Sequence, residues 1–333
     1  MSEPSAPLSP ARARRPMPPP LRVPKPGLWR RTPPAIFPPI MGLFGLGLGW
    51  RAAGVALADA ILGAATLLLI FALLAYLAKP LRRPASVIED LRVLPGRAGL
   101  SAASLSVMLM AASLAPFAPR VATLAAIIGF GMHASLVGLL LWVLISGPPE
   151  GRVVTPVFHL SFVGFIIGGL AANALGYHEL ARWVLWVMLV PAGVIWGVSA
   201  RQLKNRVPPA PLRPLLVIHL APACLFAIVA SGAGMEAAAY GFMALAAAIA
   251  VVLLVSVRWL TAAGFTPLWG AFTFPSAAFA TALLSVSQGR GAMSLIGLLA
   301  LGLATLLIVL ISYRILKMWP GGTLAAKTNA SEA

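Results

Sequence analysis

"WGAFTFPSAAFATALL", residues 269–284, places a proline in the middle of an apolar run that is long enough to cross a bilayer as a helix. Proline lacks a backbone N–H and its ring clashes with the preceding turn, so at an internal position it kinks or breaks a helix. Two bulky rings, Phe272 and Phe274, stand directly before Pro275. The stretch predicts a membrane helix that is interrupted beside two candidate rings.

The composition of the whole chain agrees with a membrane protein. Of 333 residues, 60% are hydrophobic and only 10% are charged, whereas a soluble domain has about 25% charged residues. The net charge of +17 would suggest a nucleic-acid partner in a soluble protein. The basic residues, however, lie in tails and short loops between long apolar runs. We therefore predict an all-α integral membrane protein that sits in the lipid bilayer and has no nucleic-acid partner.

Ten apolar runs are long enough to cross a bilayer, and an even number of crossings puts both termini on one side. The runs are residues 35–54, 57–78, 99–117, 121–145, 155–174, 180–200, 214–232, 235–257, 267–286 and 291–315.

The distribution of basic residues provides an independent prediction of orientation. Cytoplasmic loops of membrane proteins carry an excess of Lys and Arg. If both termini are cytoplasmic, all but four of the 25 Lys and Arg fall in cytoplasmic segments. The four on the outer side are Arg51, Arg120, Arg182 and Arg290. We therefore predict a multi-pass protein of a bacterial inner (plasma) membrane with both termini in the cytoplasm.

Three regions follow from the same pattern. Residues 1–34 are rich in Pro, Arg and Ser and predict a disordered basic cytoplasmic tail. Residues 35–316 form the ten-helix transmembrane channel or transporter domain. Residues 317–333 form a short cytoplasmic tail.

The odd-numbered spans begin near residues 35, 99, 155, 214 and 267, so the chain reads as five helical hairpins in series. Prolines concentrate in the odd spans, as at Pro39, Pro156, Pro222 and Pro275. Carbonyls freed beside a proline are tolerated where they face protein or water rather than lipid. We therefore expect the odd helices to form an inner pore ring and the even helices an outer ring. A second interpretation is that the prolines only bend the helices for packing.

Groups for catalysis are missing from the spans. No Asp, Glu, Lys or Arg falls at mid-membrane, and no nucleotide-binding or hydrolase motif occurs. We expect no enzyme activity, no cofactor and no metal. Proton-coupled pumps usually keep intramembrane carboxylates, so their absence favours a passive pathway for anions. His159 and His219 lie in odd spans, where they either line a wet path or are packed.

The five hairpins, the proline-bent odd helices and three short motifs resemble the tellurite-resistance/dicarboxylate transporter family. The motifs are "WGAFTFPSAAFATALL", "FPPIMGLFGLGLGWR" and "HLAPACLF". The family includes bacterial tellurite-resistance proteins, plant guard-cell slow anion channels, yeast sulfite exporters and fungal malate permeases. The resemblance implies a homotrimer in which each subunit has its own pore, plugged by a phenylalanine of the ninth helix. That phenylalanine corresponds to Phe274, or to Phe272 if the register slips by two residues.

We therefore expect gated, passive transport of small anions across the inner membrane. Two alternatives stay open at this point. One is a proton-coupled exporter of a dicarboxylate, sulfite or another weak-acid anion, and the other is a membrane scaffold without a solute path.

Overall fold

The computed structural model describes residues 29–333, and all regular secondary structure in this part of the chain is helical. The α-helices are α1 (Phe37–Ala52), α2 (Ala58–Arg82), α3 (Ala85–Arg92), α4 (Leu94–Leu114), α5 (Pro119–Ser146), α6 (Phe165–Ala174), α7 (His178–Asn205), α8 (Leu220–Gly232), α9 (Glu236–Val255), α10 (Val257–Leu260), α11 (Thr273–Ser287), α12 (Gly291–Lys317) and α13 (Thr323–Lys327). Short 3-10 helices cover Pro34–Ile36, Pro149–Arg152, Ala210–His219 and Pro267–Phe272, and a π-helix covers His159–Val163.

Within residues 29–333, eight helical stretches are long and apolar enough to cross a membrane. They are Ala58–Arg82, Leu94–Leu114, Pro119–Ser146, His178–Asn205, Ala210–Gly232, Glu236–Val255, Pro267–Ser287 and Gly291–Lys317. Two of the predicted spans contain shorter helices, namely α1 with 16 residues and the stretch His159–Ala174. The multi-pass membrane character predicted from the sequence is confirmed.

Burial divides these helices into two classes. In the apolar parts of Leu94–Leu114, Ala210–Gly232 and Pro267–Ser287, between 72% and 89% of the residues are buried. In the corresponding parts of α2, α5, α7, α9 and α12, only 17% to 33% are buried. The first class belongs to the odd-numbered runs of the sequence and the second class to the even-numbered runs. The odd runs therefore form the interior of the fold.

The inner helices form a closed ring. Each of α1, α4, α6, α8 and α11 contacts the next in this order, and α11 contacts α1 again. Each outer helix packs on the inner helix that precedes it in the chain, α2 on α1, α5 on α4, α7 on α6, α9 on α8 and α12 on α11.

Several prolines of the inner segments lie where α-helices begin, whereas Pro156 precedes the π-helix His159–Val163. Pro38 and Pro39 lie in the first turn of α1, Pro222 in that of α8, and Pro275 is the third residue of α11. A proline is tolerated in a first turn because the N–H that it lacks would have no helical partner there. Pro275 therefore marks the switch from the 3-10 segment Pro267–Phe272 to the α-helix, rather than a kink within one continuous α-helix.

Glycines allow α1 to approach its neighbours closely. A Cβ added at Gly42 would collide with Thr273 of α11, and one added at Gly47 would lie 2.6 Å from Leu62 Cδ2 of α2. Small residues of this kind let helix backbones pack tightly within membranes. The glycine-rich run at residues 42–50 therefore joins α1 to both the inner ring and the outer helix α2.

The C-terminal segment packs over the end of the bundle at which the inner helices begin. Lys79 Nζ lies 2.6 Å from Asp90 Oδ2, and both side chains are fully buried. Ser331 N donates to Asp90 Oδ1 at 2.8 Å, and Lys79 also donates to the carbonyl of Thr32. Residues 29–34 and 317–333 of the two predicted tails are therefore attached to the helices at several points. Residues 1–28 of the predicted N-terminal tail lie outside the described residues.

Candidate functional site

A cavity of about 70 Å³ lies inside the ring of inner helices. Every inner segment contributes to its wall, and Pro38, Pro95, His159, Pro222 and Phe274 are representative members. The wall residues extend from the N-terminal ends of these segments to about halfway along them. Thr328, from the C-terminal segment, also lines the cavity. The cavity therefore occupies one half of the bundle, at the end that the C-terminal segment covers.

The wall of the cavity is almost entirely apolar. None of the described residues that line it is Lys, Arg, Asp or Glu, and His159 and Thr328 are its polar members. The Thr328 hydroxyl donates to the carbonyl of Leu324 at 2.7 Å within the C-terminal segment. His159 is therefore the polar side chain of the inner helices that is in position to contact a solute.

Phe274 lines the cavity and its ring lies against α1. A Cβ added at Gly45 would lie 3.1 Å from Phe274 Cδ2, which shows that the ring fills the space that a side chain at Gly45 would need. Phe272 does not line the cavity, and its ring packs on Trp269 at a centroid distance of 5.5 Å. The structure thus separates the two candidate rings by their surroundings, with Phe274 in the cavity wall and Phe272 outside it.

Some of the other predicted pore residues line the cavity and some do not. His159, Pro222 and Pro275 line the cavity. Pro39 and Pro156 do not, and Pro38 takes the place in the wall that the sequence suggested for Pro39.

The two predicted pore histidines form a pair. His159 Nε2 lies 2.9 Å from His219 Nδ1 and the rings are nearly perpendicular, with centroids 5.0 Å apart. His159 is only 3% exposed, whereas His219 is half-buried and lies behind the cavity wall. Trp196 of α7 donates its indole N–H to the backbone carbonyl of His219 at 3.1 Å. The pair therefore connects two neighbouring inner segments and is fixed from behind by an outer helix.

A second polar contact joins the next pair of inner segments. Ser101 Oγ of α4 lies 2.8 Å from Ser161 Oγ of the π-helix, and Ser104 Oγ lies 2.8 Å from His133 Nδ1 of α5. Both the serine pair and the histidine pair join residues 60 positions apart. Sequence reasoning missed these pairs, although this spacing is close to the spacing of the predicted hairpins and could have indicated them.

Three other features were also missed. The contact of Gly45 with Phe274 has no local signal in the sequence. Thr328 was assigned to a tail outside the membrane domain. Lys79 and Asp90 lie between the second and third predicted spans, where the sequence gives no signal of a buried ion pair.

Groups for metal binding are sparse. Within residues 29–333, no cluster of three or more His, Cys, Asp or Glu side chains could hold a metal ion. The histidine pair supplies two nitrogens that already contact each other.

Comparison with known proteins identifies the family. No curated protein matches the chain. The family model described as a voltage-dependent anion channel, SLAC1, matches residues 31–319. This match covers all the helices that surround the cavity and confirms the family resemblance seen in the sequence. The chain therefore belongs to the SLAC1 family of voltage-dependent anion channels, a family of membrane proteins that includes anion channels and transporters.

Proposed function

We propose that the chain forms a gated, passive pathway for small anions across the membrane. The observation that carries this proposal is the cavity within the closed ring of inner helices, with the ring of Phe274 in its wall against Gly45. The family match supports anions as the transported class. Among the described residues, the wall also has no carboxylate that would repel them.

We propose that all ten apolar runs cross the membrane, as five hairpins with an inner pore ring and an outer ring. The 3-10 turn Pro34–Ile36 continues directly into α1, and the two together contain 19 residues. At 1.5 Å per residue, these span roughly 28 Å, which matches a bilayer core. The described ends of the chain also meet, since Ala333 N donates to the Arg30 carbonyl at 3.1 Å. Chain ends on the same side agree with an even number of crossings.

Phe274 is the gate in this proposal. An aromatic ring in a narrow apolar passage blocks ions by steric exclusion and by keeping water out. The facing position is a glycine, so the ring itself closes the space between α11 and α1. A rotamer change of Phe274 can then open the path without movement of the backbone.

We also propose a location and an assembly. Both termini are proposed to lie on the cytoplasmic side of a bacterial inner membrane, and the excess of basic residues at one end supports this orientation. The outer helices expose large apolar side chains such as Leu67, Ile145 and Leu306. Exposed apolar surface on this scale suits lipid and the contacts of a homotrimer.

The direct test is current through the purified protein in planar bilayers with unequal chloride concentrations on the two sides. The proposal predicts a current whose reversal potential follows the chloride gradient. Protein that is present in the bilayer but carries no anion current would contradict it.

One observation favours a second candidate, the proton-coupled exporter of a dicarboxylate, sulfite or another weak-acid anion. A titratable side chain, His159, lies in the cavity wall and contacts a second histidine. Histidine chains can serve as proton relays in transporters. The two candidates differ when the pH on one side is varied at a fixed anion gradient. A channel keeps its reversal potential, whereas coupled export shifts it steadily with pH.

A further inference from the structure

We propose that the His159–His219 pair is an anion-binding subsite within the cavity, where His159 donates a hydrogen bond to the anion and His219 positions it. The subsite would take small anions that are strong hydrogen-bond acceptors, such as chloride, in preference to weak acceptors, such as iodide. This inference rests on the proposed function, because it requires an anion in the cavity.

One ring nitrogen of His159 is left without a partner among the described residues. Its ring lines the cavity, and Nε2 is occupied by His219. The other ring nitrogen, Nδ1, is buried and has no hydrogen-bond partner within residues 29–333. An unpaired polar atom in an apolar setting costs free energy unless a ligand or water satisfies it. Nδ1 is therefore a polar atom of a wall residue that the described part of the chain leaves without a partner.

The direction of the hydrogen bond between His159 and His219 decides which nitrogen of His159 carries the proton. A neutral imidazole carries one N–H and one acceptor nitrogen. When His219 donates through Nδ1, Nε2 of His159 accepts, and the single proton of His159 then resides on Nδ1. In that arrangement, His159 offers an N–H to the cavity. An anion in the cavity stabilises this tautomer over the opposite one, which would present a lone pair. His219 is thus a positioning residue for His159.

The subsite would also change which anions pass most easily. An apolar passage favours anions that lose their hydration easily, because burial of a charge without hydrogen bonds is costly. One N–H donor offsets part of this cost, and it does so most for the anion that accepts hydrogen bonds best. The subsite therefore raises the permeability of chloride relative to that of iodide without adding a fixed charge.

The test uses two amides that imitate opposite nitrogens of the ring. In His159→Asn, the amide nitrogen can take the place of Nδ1, so the donor to the cavity is kept. In His159→Gln, the longer side chain reaches the place of Nε2, so the contact with His219 is kept and the cavity donor is lost. Both variants are compared with the parent protein by reversal potentials in bilayers with chloride on one side and iodide on the other.

We expect His159→Gln to raise the permeability of iodide relative to chloride roughly fivefold, the ratio that corresponds to a difference of about 1 kcal/mol between the charge-assisted hydrogen bonds that chloride and iodide accept. We expect His159→Asn to stay close to the parent. At the second position, His219→Leu should shift the ratio in the same direction as His159→Gln, whereas His219→Asn, which keeps a donor near Nδ1, should not. The His219 variants supply the answer if either His159 variant fails to reach the membrane.

The outcomes separate the subsite from the proposed function. Normal current with an unchanged permeability ratio in both His159→Gln and His219→Leu would overturn the subsite and leave the anion pathway intact. A shift in His159→Asn without one in His159→Gln would also overturn it. Absence of anion current in the parent protein would overturn the proposed function, and the subsite with it.

Discussion

The aromatic ring of Phe274 lies against Gly45, so closely that a Cβ on the glycine would come within 3.1 Å of Phe274 Cδ2. This contact joins α11 to α1, the last and the first helices of the inner ring. Ring and glycine therefore depend on each other, because the space that Phe274 fills exists only if residue 45 has no side chain.

Replacement of the ring tests the gate. Phe274→Ala removes the side chain from the cavity wall, so we expect the anion conductance in bilayers to rise several-fold. Phe272→Ala is the matched control, since it removes the same atoms from a buried ring on Trp269 that does not line the cavity. Equal conductances for Phe274→Ala and the parent protein would count against the gate.

Addition of a methyl group tests the Phe274–Gly45 contact from the other side. In Gly45→Ala, the new Cβ would also lie 3.1 Å from Ala277 Cβ, so α1 and α11 must shift apart slightly. Overpacking of this kind costs about 1–3 kcal/mol, and we expect a lower thermal unfolding midpoint in detergent. Gly63→Ala is the control, because nothing lies within 4 Å of a Cβ at that position. We expect Phe274→Ala to relieve part of the cost, and strictly additive effects would show that the contact is unimportant.

The buried ion pair of Lys79 and Asp90 should help to hold the C-terminal segment in place. Asp90→Asn leaves the Lys79 ammonium buried without its carboxylate, and removal of one partner of a buried pair typically costs about 3–5 kcal/mol. Because Ser331 N also binds Asp90, we expect amide hydrogen exchange to increase in residues 323–333. Glu89→Gln is the control, since it breaks the partly exposed pair with Arg83, for which the expected loss is at most about 1 kcal/mol. Unchanged exchange in Asp90→Asn would mean that other contacts hold the segment.

Cysteine labelling tests the proposed orientation of α7. Tyr177 and Val207 are exposed residues at opposite ends of α7, and Cys224, the one native cysteine, is fully buried. A membrane-impermeant maleimide should label Tyr177→Cys in intact cells and label Val207→Cys only after lysis. Labelling of both residues in intact cells would contradict the proposed orientation.

An exposed ion pair outside the membrane segments joins the two described ends of the chain. Arg31 and Glu332 form an ion pair at 2.5 Å. The hydrogen bond and the negative charge of Glu332 raise the pKa of the Arg31 guanidinium above its usual value. The pair is exposed, so we expect the Glu332→Gln substitution to change stability little.

Much of the fold could be predicted from local features of the chain. The apolar runs and the basic loops are properties of short segments, and they predicted the membrane class and the division into buried odd and exposed even runs. The prolines predicted interruptions in the inner segments, but not that they would start α-helices after 3-10 turns. That depends on how the whole segment packs, so Pro275 marks the beginning of α11 instead of a bend within it.

The sequence by itself determined that this chain is an all-helical membrane protein and reduced the candidate gate to Phe272 and Phe274. On one continuous α-helix the two would lie about 200° apart, but Phe272 ends the 3-10 segment and only Phe274 lies on α11, so the rotation of α11 sets the surroundings of Phe274. That rotation is decided by packing against α1 at Gly45, a residue more than 200 positions away in the chain. The contact between His159 and His219 and the placement of Thr328 in the cavity wall depend in the same way on closure of the ring. Such contacts join distant segments, and their formation is a property of the assembled tertiary structure rather than of any local pattern.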